Sequence, residues 1–498
     1  MTFPPSLSLC CKKMLSSLRN ADPSEHISAP SKSDGDNTLS SSPHTMEDSS
    51  SPEGGMVAWC TVFGAFLAQF CGFGYMNAFG VYQAFYAQHY LQTSSSSAVS
   101  WIGSLATFLV TAVGPICGPL FDNGYFYHVY ITGAVLQSFS LFMLSLVQPG
   151  QYYQVLLAQG LVSGIGQGLM YVPSFAILSH HFKRRRATMM SIVSSGAPLG
   201  GIANTIMLNQ LLNGPIGFKM GVQISATFIT VLLIISCILV RTRYSAVRQE
   251  EVSVNSWKAT KKCFTEVPSL LSTIGFMLFQ VAYMYPLFYF QVDSLRHGLG
   301  ATFAFYSLVV INAGSFVGRF VAGAVLPYVG VVDLTIITIV ACAILIIGMI
   351  WLGSVASVIV LGILYGLFSG INIAIMAPML GLMSDPAELG VRLGVAFGVT
   401  GIGALVGTPI CGALLTDRYL WWAPALFCGV CPSRISNDIY GLANILIQVI
   451  ALAGGVLFVG VRSSFIRAGA VAAHTCAGDE QKIETGSRDE KKGGEVNA

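Results

Sequence analysis

Twelve stretches of the chain are almost wholly apolar, and short polar breaks separate them. They run over residues 56–82, 99–120, 128–147, 154–178, 187–212, 219–240, 266–290, 299–324, 333–352, 355–380, 392–415 and 441–461. Crossing the hydrocarbon core of a bilayer takes roughly 20 residues of helix. Backbone groups in lipid must bond within their own segment, and the alternating pattern of a membrane β-barrel is absent, so the runs predict helices. The longest internal polar break, 241–265, divides them six and six. The expected fold is therefore an all-α membrane protein of twelve transmembrane helices in two six-helix bundles, 54–240 and 266–465, joined by a central loop at 241–265. Residues 1–53 and 466–498 are rich in Ser, Pro, Asp, Glu and Lys and poor in large apolar side chains. Such segments cannot bury enough surface to fold, and both are expected to be disordered tails.

Composition narrows the class. Of 498 residues, 53% are apolar and only 10% are charged, where a soluble domain carries roughly 25% charged residues. That excludes a soluble enzyme, a secreted domain and a disordered scaffold. The net charge of +3 gives no case for nucleic acid. Positive charge orients the chain. With the N-terminus inside, the inward segments hold thirteen basic residues: Lys183, Arg184, Arg185, Arg186, Arg241, Arg243, Arg248, Lys258, Lys261, Lys262, Arg392, Arg462 and Arg467. The outward segments hold four: Lys219, Arg296, Arg418 and Arg434. Both tails and the central loop are thus expected in the cytoplasm, and the plasma membrane is the expected location.

Six of the 12 cysteines fall inside apolar runs, as small core residues do, rather than in a disulfide framework. Cys428 and Cys431 form a C-x-x-C without partner ligands. No metal cluster, nucleophile triad or phosphate-cradling glycine loop is visible, so neither a cofactor nor enzymatic activity is expected. The polar insert 429–440 stands just before the last apolar run and reads either as an outer loop or as retained non-coding sequence.

Local motifs carry a resemblance. The end of the second run reads Gly114-Pro-Ile-Cys-Gly118-Pro-Leu-Phe-Asp122-Asn-Gly124. It is similar to the signature loop of the major facilitator superfamily at Gly118, Leu120 and Asp122, without that loop's basic residues. The first run opens Pro52-Glu53-Gly54-Gly55 and continues through Ala58, Trp59, Gly74, Asn77, Phe79 and Gly80. The second opens Ser100-Trp101-Ile102-Gly103-Ser104. His181-Phe182-Lys183-Arg184-Arg185-Arg186-Ala187 precedes the fifth, followed by Gly196 and Gly200. Together these resemble the monocarboxylate-porter family, above all its fungal branch, over roughly residues 52–465. The resemblance implies two bundles that rock around a central site. It also implies transport of a small organic solute: a carboxylate, an aromatic amino acid, riboflavin or a secondary metabolite.

An ionisable side chain within a membrane helix is costly and so is a functional candidate. No Asp or Glu falls inside a run; Asp122, Glu266 and Asp333 stand at ends. Arg319 is the interior base, while Arg392 at the start of the eleventh run can snorkel to the surface. In animal monocarboxylate porters the resemblance puts a carboxylate-binding Arg at the position of Arg319, an acid at Ser315 and a lysine at Asn77. Arg319 admits two readings: a bidentate anion site, or a fastener of helix ends. Neutral groups complete the candidate binding set: Tyr75, Asn77, Gln167, Tyr171, Tyr285, Tyr289, Asn312 and Asn372, with Gln69, Gln159, Asn204, Gln280, Tyr283 and Tyr365 as further cavity candidates. Each can hydrogen-bond a solute or another helix. Gly118, Asp122, Arg185 and Arg186 are candidates for conformational gating, since a carboxylate there can cap a neighbouring helix. Pro173, Pro198, Pro286 and Pro378 are expected to bend their helices.

These readings converge on a secondary transporter with a small-molecule solute and the lipid bilayer as its partners. No nucleic acid or obligate protein partner is implied. Export of an amphipathic or weakly acidic metabolite leads. Uptake of a monocarboxylate or riboflavin-like nutrient, by proton symport or facilitated diffusion, and a non-transporting nutrient sensor are the alternatives.

Overall fold

The computed structural model describes residues 54–92, 94–243, 256–296, 301–349, 354–385 and 388–415. The twelfth run, the 429–440 insert, Cys428, Cys431 and both tails lie outside the described residues. Among the described residues all regular structure is helical. The first six helices are α1 (Met56–Tyr90), α2 (Ala98–Asp122), α3 (Phe126–Leu144), α4 (Tyr152–His180), α5 (Arg186–Ser194 and Gly196–Asn213) and α6 (Phe218–Leu239). A short surface helix, Ser256–Thr265, then precedes α7 (Val267–Arg296), α8 (Ala301–Val329), α9 (Val331–Gly348), α10 (Val355–Leu382) and α11 (Leu389–Leu415). Ten of these helices are long and apolar enough to cross a membrane; α5, richer in Ser, Asn and Gly, is not among the ten.

Polarity is distributed as lipid requires. Val231, Ile234 and Ile238 of α6 are at least half exposed on the outer surface. The interior instead holds amides and hydroxyls. Gln137 Nε2 donates to the Cys71 carbonyl at 2.6 Å, Ser236 Oγ to the Gly64 carbonyl at 2.7 Å, and Tyr86 to Gln159 Oε1 at 2.7 Å. Without water or a hydrophobic drive between helices, such bonds and close packing join them.

Three boundaries differ from the apolar pattern. α1 continues past residue 82 to Tyr90, because its buried face stays aromatic after polar residues appear on the other. Tyr82 stacks on Tyr86, and Phe85 stacks on Phe218 of α6 at 5.3 Å. α7 runs on to Arg296 and takes Asp293 into its last turn. The central loop contains the Ser256–Thr265 helix, which buries Ala259 and Cys263 against Val391 and Val395 of α11. The prolines act unequally. Pro286 and Pro378 lie within continuous helices, whereas α5 is interrupted at Ser195, three residues before Pro198.

Within the first six helices, α1 packs on α5 and α6, and α3 on α4 and α6. Within the rest, α8 and α9 pack on α10, and α7 on α11. Between the two groups α2 lies along α11, and α5 against α8 and α10. These last contacts position the site.

Candidate functional site

A cavity lies where the two groups of helices face each other. Gln69 and Phe73 of α1, Thr111 of α2, Tyr171 and Phe175 of α4, and Ser194 and Ala197 of α5 line one side. Gln280 and Tyr283 of α7, Arg319 of α8, Ile373 and Met376 of α10, and Phe397, Thr400, Gly401 and Ala404 of α11 line the other. The space between these atoms sums to about 540 Å³. That sum includes open solvent, and the cavity seats no more than about two or three waters. An organic solute therefore enters only when the lining helices part.

Arg319 is the charged group of this cavity. It is 3% exposed, and its Nη1 donates to the Ser194 carbonyl on the opposite group of helices. Its Nε has no hydrogen-bond partner, and among the described residues no carboxylate pairs with it. A buried guanidinium with an unbonded Nε–H is costly to maintain, and that N–H is suited to an anion or a carbonyl. Aromatic rings surround it. Tyr171 packs against Phe73 and Phe397 at 5.2 Å each and against Phe175 at 5.4 Å. The arrangement can hold a flat, partly apolar molecule by its faces and an acidic oxygen by the Arg fork.

The predicted binding residues divide. Arg319 and Tyr171 line the cavity, with Gln69, Gln280 and Tyr283. Gln167 opens on an adjoining side pocket shared with Gln69, Phe73 and Tyr171. Asn77 and Asn312 sit beyond the cavity, where Asn77 Nδ2 donates to Asn312 Oδ1 at 3.3 Å across the two groups. Tyr75 does not line the cavity; its hydroxyl meets Tyr82 within a buried tyrosine cluster. Asn372 also turns away, donating to Thr338 Oγ1 of α9 at 3.1 Å. Helix periodicity does not say which neighbour covers a polar face, and these two face their own group. The side chains of Tyr285 and Tyr289 lie outside what the structure describes. Sequence reasoning missed Thr111, Thr400 and Phe397, since its binding candidates included no residue of the second or eleventh run. Their residue types carry no signal of it.

One end of the cavity is shut, the end that carries Lys183 to Arg186 and is here called the basic end. Asp122, the last residue of α2, accepts from the amides of Gly390 at 3.0 Å and Val391 at 2.7 Å, and so caps the start of α11. Glycines let these backbones meet. A Cβ on Gly118 would stand 2.1 Å from the Gly390 carbonyl oxygen, and one on Gly394 would stand 2.2 Å from that of Gly114. Arg186 Nη2 donates to the Gly381 carbonyl at 2.7 Å, tying α5 to the end of α10. Arg185, in contrast, is exposed and makes no such bond. Arg392 does not snorkel. It is 4% exposed and grips Glu266 with both Nη atoms, at 2.7 and 2.9 Å. Lys262 meets Glu388 at 2.8 Å. This clasp fixes the start of α11, whose free amides Asp122 uses.

Two bundle-like groups around a buried, mostly apolar cavity that holds one guanidinium and a few neutral polar groups, with an apolar outer surface, define an integral multi-pass membrane carrier of small-molecule solutes. The sequence profile of the Major Facilitator Superfamily matches residues 62–359. An aspyridones efflux protein of Emericella nidulans is 34% identical over 78% of this chain and 78% of its own length. A fujikurins efflux protein of Gibberella fujikuroi is 32% identical, covering 77% of this chain and 82% of itself. An MFS-type transporter of Aspergillus niger is 33% identical, covering 75% and 85%. The chain belongs to the Major Facilitator Superfamily. These matches leave the monocarboxylate-porter branch as a resemblance.

Proposed function

We propose that this protein exports an amphipathic or weakly acidic secondary metabolite across the plasma membrane by alternating access, with the basic end and both termini in the cytoplasm. The observation that carries the reading is that relatives matched over three quarters of the chain are named efflux proteins. The cavity supports the chemical class: one guanidinium with an unbonded Nε, neutral amides and phenols, and tilted or edge-on aromatic rings around them. The resemblance to animal monocarboxylate porters is weaker here, since Ser315 and Asn77 stand where their other charged groups do. Deleting the gene in its host and comparing cells with medium by untargeted mass spectrometry tests direction and cargo together. A compound that rises inside and falls outside is expected. A nutrient left in the medium while its cellular level drops would replace export by uptake.

In this reading the basic end is closed and the solute leaves toward the other side. Asp122, Gly118 and Arg186 act as the gate. Asp122→Asn keeps the shape but removes the charge and one acceptor, so one α11 amide loses its partner. A charged hydrogen bond contributes about 1.5–3 kcal/mol, so the ratio of closed to open at this end should fall roughly tenfold or more. Spin labels at Arg185 and Leu382, both exposed at that end, measure it as a longer distance. An unchanged distance distribution would remove Asp122 from the gate. Arg185→Ala should leave transport unchanged, since the side chain is exposed.

A further inference from the structure

The contacts that hold α5 to α8 and α10 share an origin that the gating residues do not reveal. Arg319 of α8 bonds the Ser194 carbonyl of α5. In an unbroken helix that carbonyl would receive the amide of residue 198, but residue 198 is proline and has no N–H. Thr188 Oγ1 of α5 donates to the Gly323 carbonyl of α8 at 3.3 Å. The residue four further along α8 is Pro327. Ser191 Oγ of α5 lies 3.5 Å from the Ala374 carbonyl of α10, sharing its proton with the Ala187 carbonyl. The residue four further along α10 is Pro378. Thr188, Ser191 and Ser194 occupy successive turns on one face of α5, running inward from the basic end. The Arg186 bond to Gly381 is of a different kind, since the Ser384 amide also reaches that carbonyl.

We propose that Pro198, Pro327 and Pro378 are positioning residues of the transport cycle: each frees a backbone carbonyl that the opposite bundle then caps, and together they set how firmly the basic end closes. An ordinary helix carbonyl already has a donor and gains little from a second. A carbonyl freed by proline lacks its i+4 amide, so in a buried interface the cross-bundle donor supplies a bond that the helix cannot make there. Closure thus gains acceptors without unwinding a helix. When the bundles part, the same carbonyls meet pathway water. Pro198 matters most, because its carbonyl holds the charged side chain of the cavity.

The test is a double-mutant cycle on the full chain in lipid nanodiscs, read by the spin-label distance at Arg185 and Leu382 and needing no solute. Pro198→Ala gives Ser194 an intrahelical donor, and Arg319→Met removes the cross-bundle one. Each should lower the closed-to-open ratio, roughly tenfold or more for loss of such a charge-assisted bond. The double variant should shift it no further than the larger single. A second cycle, Pro327→Ala with Thr188→Val, should repeat the pattern with a smaller, roughly twofold to fivefold, change. Prolines that merely bend their helices would give additive shifts in both cycles. Additivity, or folded proline variants with an unaltered ratio, overturns the proposal.

Discussion

Gly118→Leu is expected to abolish transport and to drive the protein out of the arrangement closed at the basic end. Even the Cβ of the new residue would lie 2.1 Å from the Gly390 oxygen, 2.6 Å from its carbonyl carbon and 3.0 Å from the Val391 Cα. All three atoms are backbone, so no rotamer relieves the clash. α11 would have to retreat by roughly 1 Å to recover ordinary contact. One turn later Asp122 bonds the amides of Gly390 and Val391, and a retreat of that size breaks both. Gly114 against Gly394 extends the same seam, so the strain has no adjacent slack to enter. Gly348→Ala is the matched control. Its Cβ meets only the end of the Leu361 side chain, at 3.3 Å, and transport should persist. Efflux of the compound identified in the deletion strain, normalised to surface protein, decides it. Full efflux by Gly118→Leu at normal surface amounts would mean that the seam never closes during transport.

Arg319→Ala is expected to lower transport of an acidic solute at least tenfold, since charge-assisted bonds contribute about 1.5–3 kcal/mol each. Alanine removes the free Nε edge and also leaves the Ser194 carbonyl without its donor, so this variant alone does not separate binding from fastening. Arg319→Lys does. A lysine ammonium still donates to one carbonyl, but it lacks the planar fork that meets two oxygens at once. If Arg319 binds the solute, the lysine variant stays closed by the spin-label distance yet transports poorly, and its concentration for half-maximal transport rises. Wild-type transport by Arg319→Lys would leave Arg319 as a fastener and transfer solute recognition to the neutral lining, Tyr171, Gln69 and Gln280.

Much of this protein was legible along the chain. Apolar runs longer than the bilayer is thick allow only helices, because lipid offers no partner for a backbone amide. Arg319 stood out because a charge within such a run is too costly to keep without a use. Asp122 and Gly118 were legible through their motif. Other features were decided in three dimensions. Tyr75 and Asn372 carry the same chemistry as Tyr171 and Gln280, yet they face their own bundle, because the rotation of each helix follows from packing against several neighbours at once. Thr111, Thr400 and Phe397 entered the cavity through the α2–α11 seam, a contact between residues nearly three hundred positions apart that local periodicity cannot encode. Arg392 looked like a surface anchor until Glu266 was found beside it. The carbonyl of Ser194 is the clearest case. The sequence determines that Pro198 leaves it without a helical donor, whereas the tertiary structure alone decides that the donor it receives is Arg319, because only packing brings the opposite bundle within reach.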